Sequence, residues 1–191
     1  MFSPLSRMYN TEEDILFIFG KKVLSMEKKH YTPEERAELA EKAAANAGEH
    51  FRHGLNCGEC VLKGFLDLGL TDFPPETVAF ASGMGGGMGG TGRMCGAVNA
   101  GMLVISSMHG RRNPYAKETM DERIEELHHP ETGVYPRHAA YLRAVIREIG
   151  ALDCRDLCLP YEDFESRDRK RNCKKIIMTC ARIAAEMALR D

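Results

Sequence analysis

The chain has 191 residues, of which 43% are hydrophobic, and its formal net charge is −2. This length is enough for one hydrophobic core, and the nearly balanced charge gives no electrostatic reason to expect nucleic-acid binding. The longest apolar runs are too short to span a bilayer, and no secretory signal pattern precedes the first helix. We therefore expect a cytoplasmic protein that does not insert into a membrane.

The first two helices are predicted from local patterns. Apolar residues recur at helical spacing over residues 11–24, and we treat residues 1–30 as an N-terminal arm and helix. The sequence Thr32-Pro33-Glu34-Glu35 is a capping box with proline at the first helical position. It predicts a second helix that continues to about Arg52, within a main domain over residues 31–191.

The later helices are predicted from the same kinds of signal. Their expected ranges are 57–69 after the N-cap Asn56, 75–80, 95–108, 117–128, about 141–149 before the cap Gly150, and about 168–189. A short segment without helical periodicity separates the last two and holds Cys154 and Cys158. Because no stretch alternates with the period of a strand, the predicted fold class is all-α, a compact multi-helix single domain with a glycine-rich loop between helices.

The glycine-rich loop lies directly before Cys95. Seven glycines fall between Gly83 and Gly92, and Met84 and Met88 interrupt them. Glycine at this density is typical of positive φ angles or of close approach by the backbone to another group. We predict an ordered loop that delivers Cys95 to a site.

The seven cysteines of the chain are the candidates for that site. Outside an oxidising compartment, such a number favours metal binding, redox chemistry or burial. Cys180 lies within the apolar stripe of the last helix and is expected to pack in the core. Cys173 lies near the basic start of that helix, where we expect a thiolate to be favoured. The residues alone leave the roles of Cys57, Cys60, Cys154 and Cys158 open.

Several motifs in a fixed order make the pattern more specific. They are Asn56-Cys57-x-Glu59, the glycine–methionine loop, Cys95-Gly96-Ala97, Cys154-Arg155-Asp156-Leu157, and Cys173 ahead of an alanine-rich helix. Together they resemble the C_GCAxxG_C_C family of redox-active proteins over about residues 35–189. They are also similar to the non-haem domain of split-Soret cytochromes, although the haem-attachment motifs of those proteins do not occur in this chain. One departure is Ala100, which stands where the motif's second glycine is expected.

The resemblance implies a site and a cofactor. It places the family cysteines at Cys57, Cys95, Cys154 and Cys173 and leaves Cys60, Cys158 and Cys180 as extra. For the split-Soret relatives it implies an iron–sulfur cluster, of [2Fe–2S] type, in a helical dimer. Because helical proteins with unpaired apolar faces commonly associate, we expect a homodimer here. For the wider family it implies redox activity.

The surroundings of these cysteines are consistent with a cluster. Four thiolates are the usual ligands of an iron–sulfur centre. Bare backbone amides can donate N–H···S bonds to it, and the candidates are Gly86, Gly87, Gly89 and Gly90. Met84, Met88 and Met94 are expected to form a dry, polarisable shell.

Three other interpretations remain open. The same four thiols could form a structural Cys₄ zinc site. They could also act without metal as a thiol/disulfide pair, Cys57 with Cys95 or Cys154 with Cys173. Finally, they could simply pack in a regulatory or assembly module. No nucleophile–base pair, P-loop or dinucleotide fingerprint occurs, so we expect electron transfer or redox sensing, with an unidentified redox partner, rather than substrate turnover.

Overall fold

The computed structural model describes residues 29–191, so the helix predicted over residues 11–24 lies outside the described residues. Residues 31–191 form one compact unit. Its helices, in chain order, are α1 (Pro33–Arg52), α2 (Cys57–Leu66), a 3₁₀ helix (Pro75–Met84), α3 (Gly85–Met88), α4 (Gly96–His109), α5 (Met120–His128), α6 (Val134–Ile149), α7 (Cys154–Cys158) and α8 (Arg167–Ala188). No strand occurs over the described range, and the predicted all-α fold class is confirmed.

The first two described helices begin as their sequences predict. At α1, the Thr32 side chain accepts from the Glu35 N–H at 3.2 Å, and the Glu35 carboxylate accepts from the Thr32 N–H at 2.8 Å. At α2, Asn56 accepts from two backbone N–H groups, and the Glu59 carboxylate accepts from the Asn56 N–H. An N-cap of this kind stabilises a helix by about 1 kcal/mol. The α2 cap fixes the first turn, in which Cys57 lies.

The core is built around α8, which packs against α1, α2, α4 and α6. Alanines fill the contact face of α1, and larger side chains such as Phe65, Ile105 and Ile177 are buried on the partner helices. Burial of a side chain of that size stabilises the fold by about 1.5–3 kcal/mol. None of the described helices is long and apolar enough to cross a membrane.

Several boundaries differ from the sequence prediction, and α2 ends at Leu66 rather than at residue 69. The 3₁₀ helix continues beyond residue 80 to Met84, and α5 begins at Met120, after the cap Thr119, rather than at residue 117. Helix α6 begins at Val134, where a turn was expected, because a proline in its first turn needs no hydrogen bond from its nitrogen. The segment expected to be non-periodic contains the one-turn helix α7, which is too short to show a period.

Candidate functional site

Three of the four family cysteines lie where a helix begins. Cys57 is the first residue of α2, Cys95 is the N-cap of α4, and Cys154 is the first residue of α7. Cys173 lies further along α8. The first N–H groups of a helix have no partner within it and are available to an acceptor at its start. Helix α4 directs one of these groups, the Ala97 N–H, to a sulfur at the start of α2.

That sulfur belongs to Cys57. The backbone N–H groups of Gly86 and Ala97 donate to it, and the Cys95 thiol is its side-chain hydrogen-bond partner. The hydrogen bond from Cys95 is the largest of the effects that lower the pKa of Cys57 to about 6, while burial opposes them. The pKa of Cys95 is raised, first because its thiol is the donor in this pair and then because it is buried. At neutral pH the pair is therefore a Cys57 thiolate beside a protonated Cys95.

A glycine after Cys95 makes this pairing possible. A Cβ atom on Gly96 would stand 2.6 Å from the Cys57 sulfur and 2.5 Å from the Met84 carbonyl oxygen. Both distances are shorter than any ordinary contact of a Cβ atom, so a side chain here would push α4 away from α2. Gly96 is a site residue that sequence analysis did not single out, although it belongs to the Cys95-Gly96-Ala97 motif.

The glycine-rich loop contacts both ends of the site. Gly86 donates to the Cys57 sulfur, and Gly87, at φ 75°, has its Cα against Cys154. A Cβ on Gly87 would stand 2.7 Å from the Cys154 Cβ and would overlap the Arg93 carbonyl oxygen.

The other two glycines proposed for the site are placed differently. Gly89 and Gly90 have φ angles of 70° and 80°, and a Cβ on either would meet nothing closer than 3.9 Å. Glycine is favoured at these two positions because the backbone is left-handed, not because another group lies close to the Cα atom. Cofactor binding by any of the four loop glycines stays a prediction.

The predicted methionine shell is smaller than expected. Met84 and Met94 pack against the core. Met88 is 40% exposed, and its sulfur accepts from the Asn99 side chain, so its inclusion in a dry shell was wrong.

Backbone hydrogen bonds join residues 93–95, which follow the glycine-rich loop, to residues 152–154 at the start of α7. The Cys95 N–H donates to the Leu152 carbonyl oxygen at 2.8 Å, and the Cys154 N–H donates to that of Arg93 at 2.8 Å. Between them, Met94 and Asp153 form the isolated β-bridge of the described residues. This pairing brings the segment that carries Cys95 against the segment that carries Cys154, although the two are distant in sequence.

The second part of the site consists of Cys154, Cys158 and Cys173. The Cys158 thiol is a hydrogen-bond partner of both other thiols. Burial is the main reason that the pKa of Cys154 is raised to about 12 and that of Cys173 to about 11. The charge of a Cys57 thiolate also raises both values, which places the two parts of the site within electrostatic range of each other.

The expectation that the start of α8 favours a Cys173 thiolate was wrong. Arg169 does lower the pKa of Cys173, but burial raises it by more. The sequence shows the nearby positive charge and not the burial. In the metal-free protein Cys173 is therefore protonated at neutral pH.

Arg169 is the charged residue of this part of the site. It is only 8% exposed, its guanidinium donates to the Cys173 sulfur at 3.5 Å, and it lies 3.7 Å over the Phe164 ring. Its Nε has no hydrogen-bond partner, and among residues 29–191 no carboxylate forms a salt bridge with it. Burying a guanidinium without an anionic partner is costly. The site therefore carries a positive charge that is balanced only in part.

The two remaining cysteines lie in the core. Cys60 is fully buried and donates to the Leu55 carbonyl oxygen at 3.5 Å, and burial raises its pKa to about 12. Cys180 is fully buried beside the Tyr141 hydroxyl, and burial raises its pKa to about 12 as well. The prediction that Cys180 packs in the core is confirmed, and Cys60 behaves in the same way.

The five site cysteines thus form two groups, Cys57 with Cys95 and Cys158 with both Cys154 and Cys173. Within the described range, no three or more His, Cys, Asp or Glu side chains stand in the arrangement that holds a single metal ion. The four cysteines named by the family pattern are divided between these two groups, and Cys158 is an additional member of the second.

Comparison with protein families gives one match. A family model described as "Putative redox-active protein (C_GCAxxG_C_C)" matches residues 55–187, a range that covers more than half of the chain and contains all seven cysteines. Comparisons with curated proteins and with solved structures find no match.

Proposed function

Because the chain belongs to the C_GCAxxG_C_C family of redox-active proteins, we propose that its site binds an iron–sulfur cluster of [2Fe–2S] type. The proposed ligands are Cys57, Cys95, Cys154 and Cys173. When bound, the cluster would accept and return an electron, and the protein would serve electron transfer or redox sensing. A homodimer and a cytoplasmic location are further parts of this proposal.

The observation that carries the proposal is the buried Arg169. Its guanidinium has a sulfur as its side-chain acceptor and no carboxylate within salt-bridge distance among the described residues. Glu165 lies within electrostatic range of Arg169 but forms no salt bridge with it, so the charge is compensated only in part. A cluster held by four thiolates has a net negative charge in both of its oxidation states. The positive charge of Arg169 would therefore favour binding of such a group.

The backbone around Cys57 also supports a negatively charged group. Two N–H groups, from Gly86 and Ala97, already converge on one sulfur. Hydrogen bonds to ligand sulfurs stabilise negative charge and raise the reduction potential of a cluster. Because these donors belong to the backbone of a helix start and a loop, they are in place before any cofactor binds.

The experiment is anaerobic purification followed by analysis of iron, acid-labile sulfide and zinc, together with the visible absorption spectrum. We expect iron and sulfide in equal amounts in the parent protein. The C57A and C95A variants should lose both, whereas the matched core variants C60A and C180A should keep them. Zinc without sulfide would favour the structural zinc site, and a parent protein without either would contradict the proposal.

A second candidate function is a metal-free thiol/disulfide protein. It is favoured by the Cys57–Cys95 pair, in which a thiolate with a pKa of about 6 lies beside a protonated thiol. A low-molecular-weight disulfide would take two electrons from the pair and be reduced to two thiols, while Cys57 and Cys95 become joined by a disulfide. A loss of two titratable thiols per chain in metal-free parent protein, absent in C95A, would support this function.

A further inference from the structure

We propose that Cys158 is a fifth, interchangeable ligand, able to take the place of Cys154 or of Cys173 at the iron–sulfur cluster. This inference rests on the proposed function. It concerns a cysteine that lies outside the four-cysteine family pattern.

The first argument is position. Cys158 lies one helical turn after Cys154 on α7, so the two side chains share a face of that helix. The Asn172 side chain donates to the Leu157 carbonyl oxygen at 3.4 Å, so the residues next to Cys173 and Cys158 are in contact, and the Cys158 thiol acts on the pKa of both Cys154 and Cys173. A group that binds the sulfurs of Cys154 and Cys173 therefore has a third thiol beside it.

The second argument is how loosely this cysteine is held. Helix α7 has five residues, and only Cys154 and Leu157 of it are buried. Cys158 is half-buried, and the next residue, Leu159, is 81% exposed. A side-chain rotation at the end of such a short helix disturbs little packing. Cys158 can therefore turn toward a cofactor without repacking the core.

Cys60 provides the contrast. It lies one turn after Cys57 on the ten-residue helix α2, but it is fully buried and its thiol donates to the Leu55 carbonyl oxygen. Its sulfur is thus held away from the site by a longer, well-packed helix. An additional thiol is therefore available to the site on α7, that of Cys158, whereas the additional thiol on α2, that of Cys60, is not available.

The exchange of one cysteine ligand for another at iron needs no electron transfer. One iron–sulfur bond to Cys154 or Cys173 breaks and one bond to Cys158 forms. Cys158 gives up its thiol proton, and the displaced cysteine takes up a proton. No oxidant or other reactant is needed.

The test compares single and double alanine variants, because alanine, unlike serine, offers iron no replacement ligand. We expect C154A and C173A each to keep most of the parent's iron and sulfide, with a changed visible spectrum. The double variants C154A/C158A and C158A/C173A should lose both, while the matched double variant C154A/C180A, whose second change lies in the core, should keep them. C57A should lose its cluster although Cys60 is intact.

The outcomes separate this inference from the proposed function. A parent that binds cluster while C154A and C173A both fold, by far-ultraviolet circular dichroism, without binding it would overturn the inference alone. A parent without iron and sulfide would overturn the proposed function and this inference with it.

A second readout needs no cofactor. In the metal-free parent, an azodicarboxamide oxidant should convert Cys158 and either Cys154 or Cys173 into a disulfide, the oxidant taking up the two electrons and two protons as it becomes a hydrazine. Peptide mapping without reductant identifies the linked residues. If Cys158 appears in no disulfide with either partner, the three thiols are not close together and the inference is wrong.

Discussion

The Cα of Gly96 lies so close to Cys57 that a Cβ atom there would stand 2.6 Å from the Cys57 sulfur. This approach brings the N-terminus of α4 and its Ala97 N–H group onto the sulfur at the start of α2. The spacing of two helices and the hydrogen bonding of one cysteine are thus fixed by the same glycine. The consequence can be tested at a single position.

We expect G96A to bind less iron and to be less stable than the parent, because the added methyl group must separate α4 from α2. Overpacking of this kind costs about 1–3 kcal/mol. Iron content and denaturant unfolding measure the two effects. The control is G83A, since a Cβ on Gly83 would meet no atom within 4 Å. Equal iron content and stability in G96A and G83A would contradict the role given to Gly96.

The pH dependence of Cys57 alkylation tests the thiolate. In metal-free protein, the pKa of about 6 predicts that the rate of alkylation at Cys57 rises through pH 6 and is level at neutral pH. In C95A the loss of the main hydrogen-bond donor should raise the pKa of Cys57 and move this rise to higher pH. Rates at Cys57 are followed by mass spectrometry of its peptide. A C95A profile that coincides with that of the parent would show that Cys95 has no such effect.

The same lowered pKa predicts how stability changes with pH. A folded-state pKa below that of the unfolded chain adds stability that is present above the unfolded value and lost as the pH falls through about 6. The free energy of unfolding of the metal-free parent should therefore decrease on acidification across this window. The free energy of unfolding of C57A should decrease less over the same pH range. Histidines contribute equally to both proteins, so the difference between the two curves is due to Cys57. If the free energies of parent and C57A decrease by the same amount, the lowered pKa of Cys57 is contradicted.

The loop glycines separate two effects of a side chain. Gly87 and Gly90 both have positive φ, so alanine is strained at either position, by about 1–2 kcal/mol. Only at Gly87 would the methyl group also press against Cys154. We expect G87A to lower the free energy of unfolding by more than G90A, and to lower iron content as well. If G87A and G90A lower the free energy of unfolding by the same amount, close contact between Gly87 and Cys154 is contradicted.

Sequence predicted the parts of this fold that depend on neighbours in the chain. The capping box at Thr32, the N-cap at Asn56 and the start of the helix after Cys95 rest on contacts within a few residues, and they occur where expected. Helix α7 was missed because five residues cannot show a helical period. The bridge between Met94 and Asp153 was missed for a different reason, since it joins segments that are far apart in sequence.

The candidate site shows the same division. The family pattern pointed to four cysteines, and the structure divides them between two groups of thiols, but the place of Cys158 beside Cys173 depends on α7 and α8 meeting there. The charge of Arg169 was visible beside Cys173 in the sequence. Its effect on the pKa of Cys173 was misjudged, because burial is a property of the packed helices and it outweighs the charge.

Arg169 gives the last prediction, which concerns the reduction potential. A buried positive charge beside Cys173 favours the state with one more electron, so its removal should make the potential of the cluster more negative. A tenfold change in the ratio of reduced to oxidised protein corresponds to about 59 mV for a one-electron couple, and we expect R169Q to shift by about that amount. R169K should shift less, because it keeps the charge and loses the planar group over Phe164.

The matched control is R171Q. Arg171 lies on the same helix, but it is exposed and pairs with Asp168 at 2.9 Å, so solvent and its own partner screen it from the site. Redox titration followed by visible absorption measures all four proteins, and iron content shows that each is loaded. If R169Q and R171Q shift equally, the effect is one of general surface charge. If R169Q is loaded and does not shift at all, Arg169 does not act on the bound group, and the argument from its burial fails.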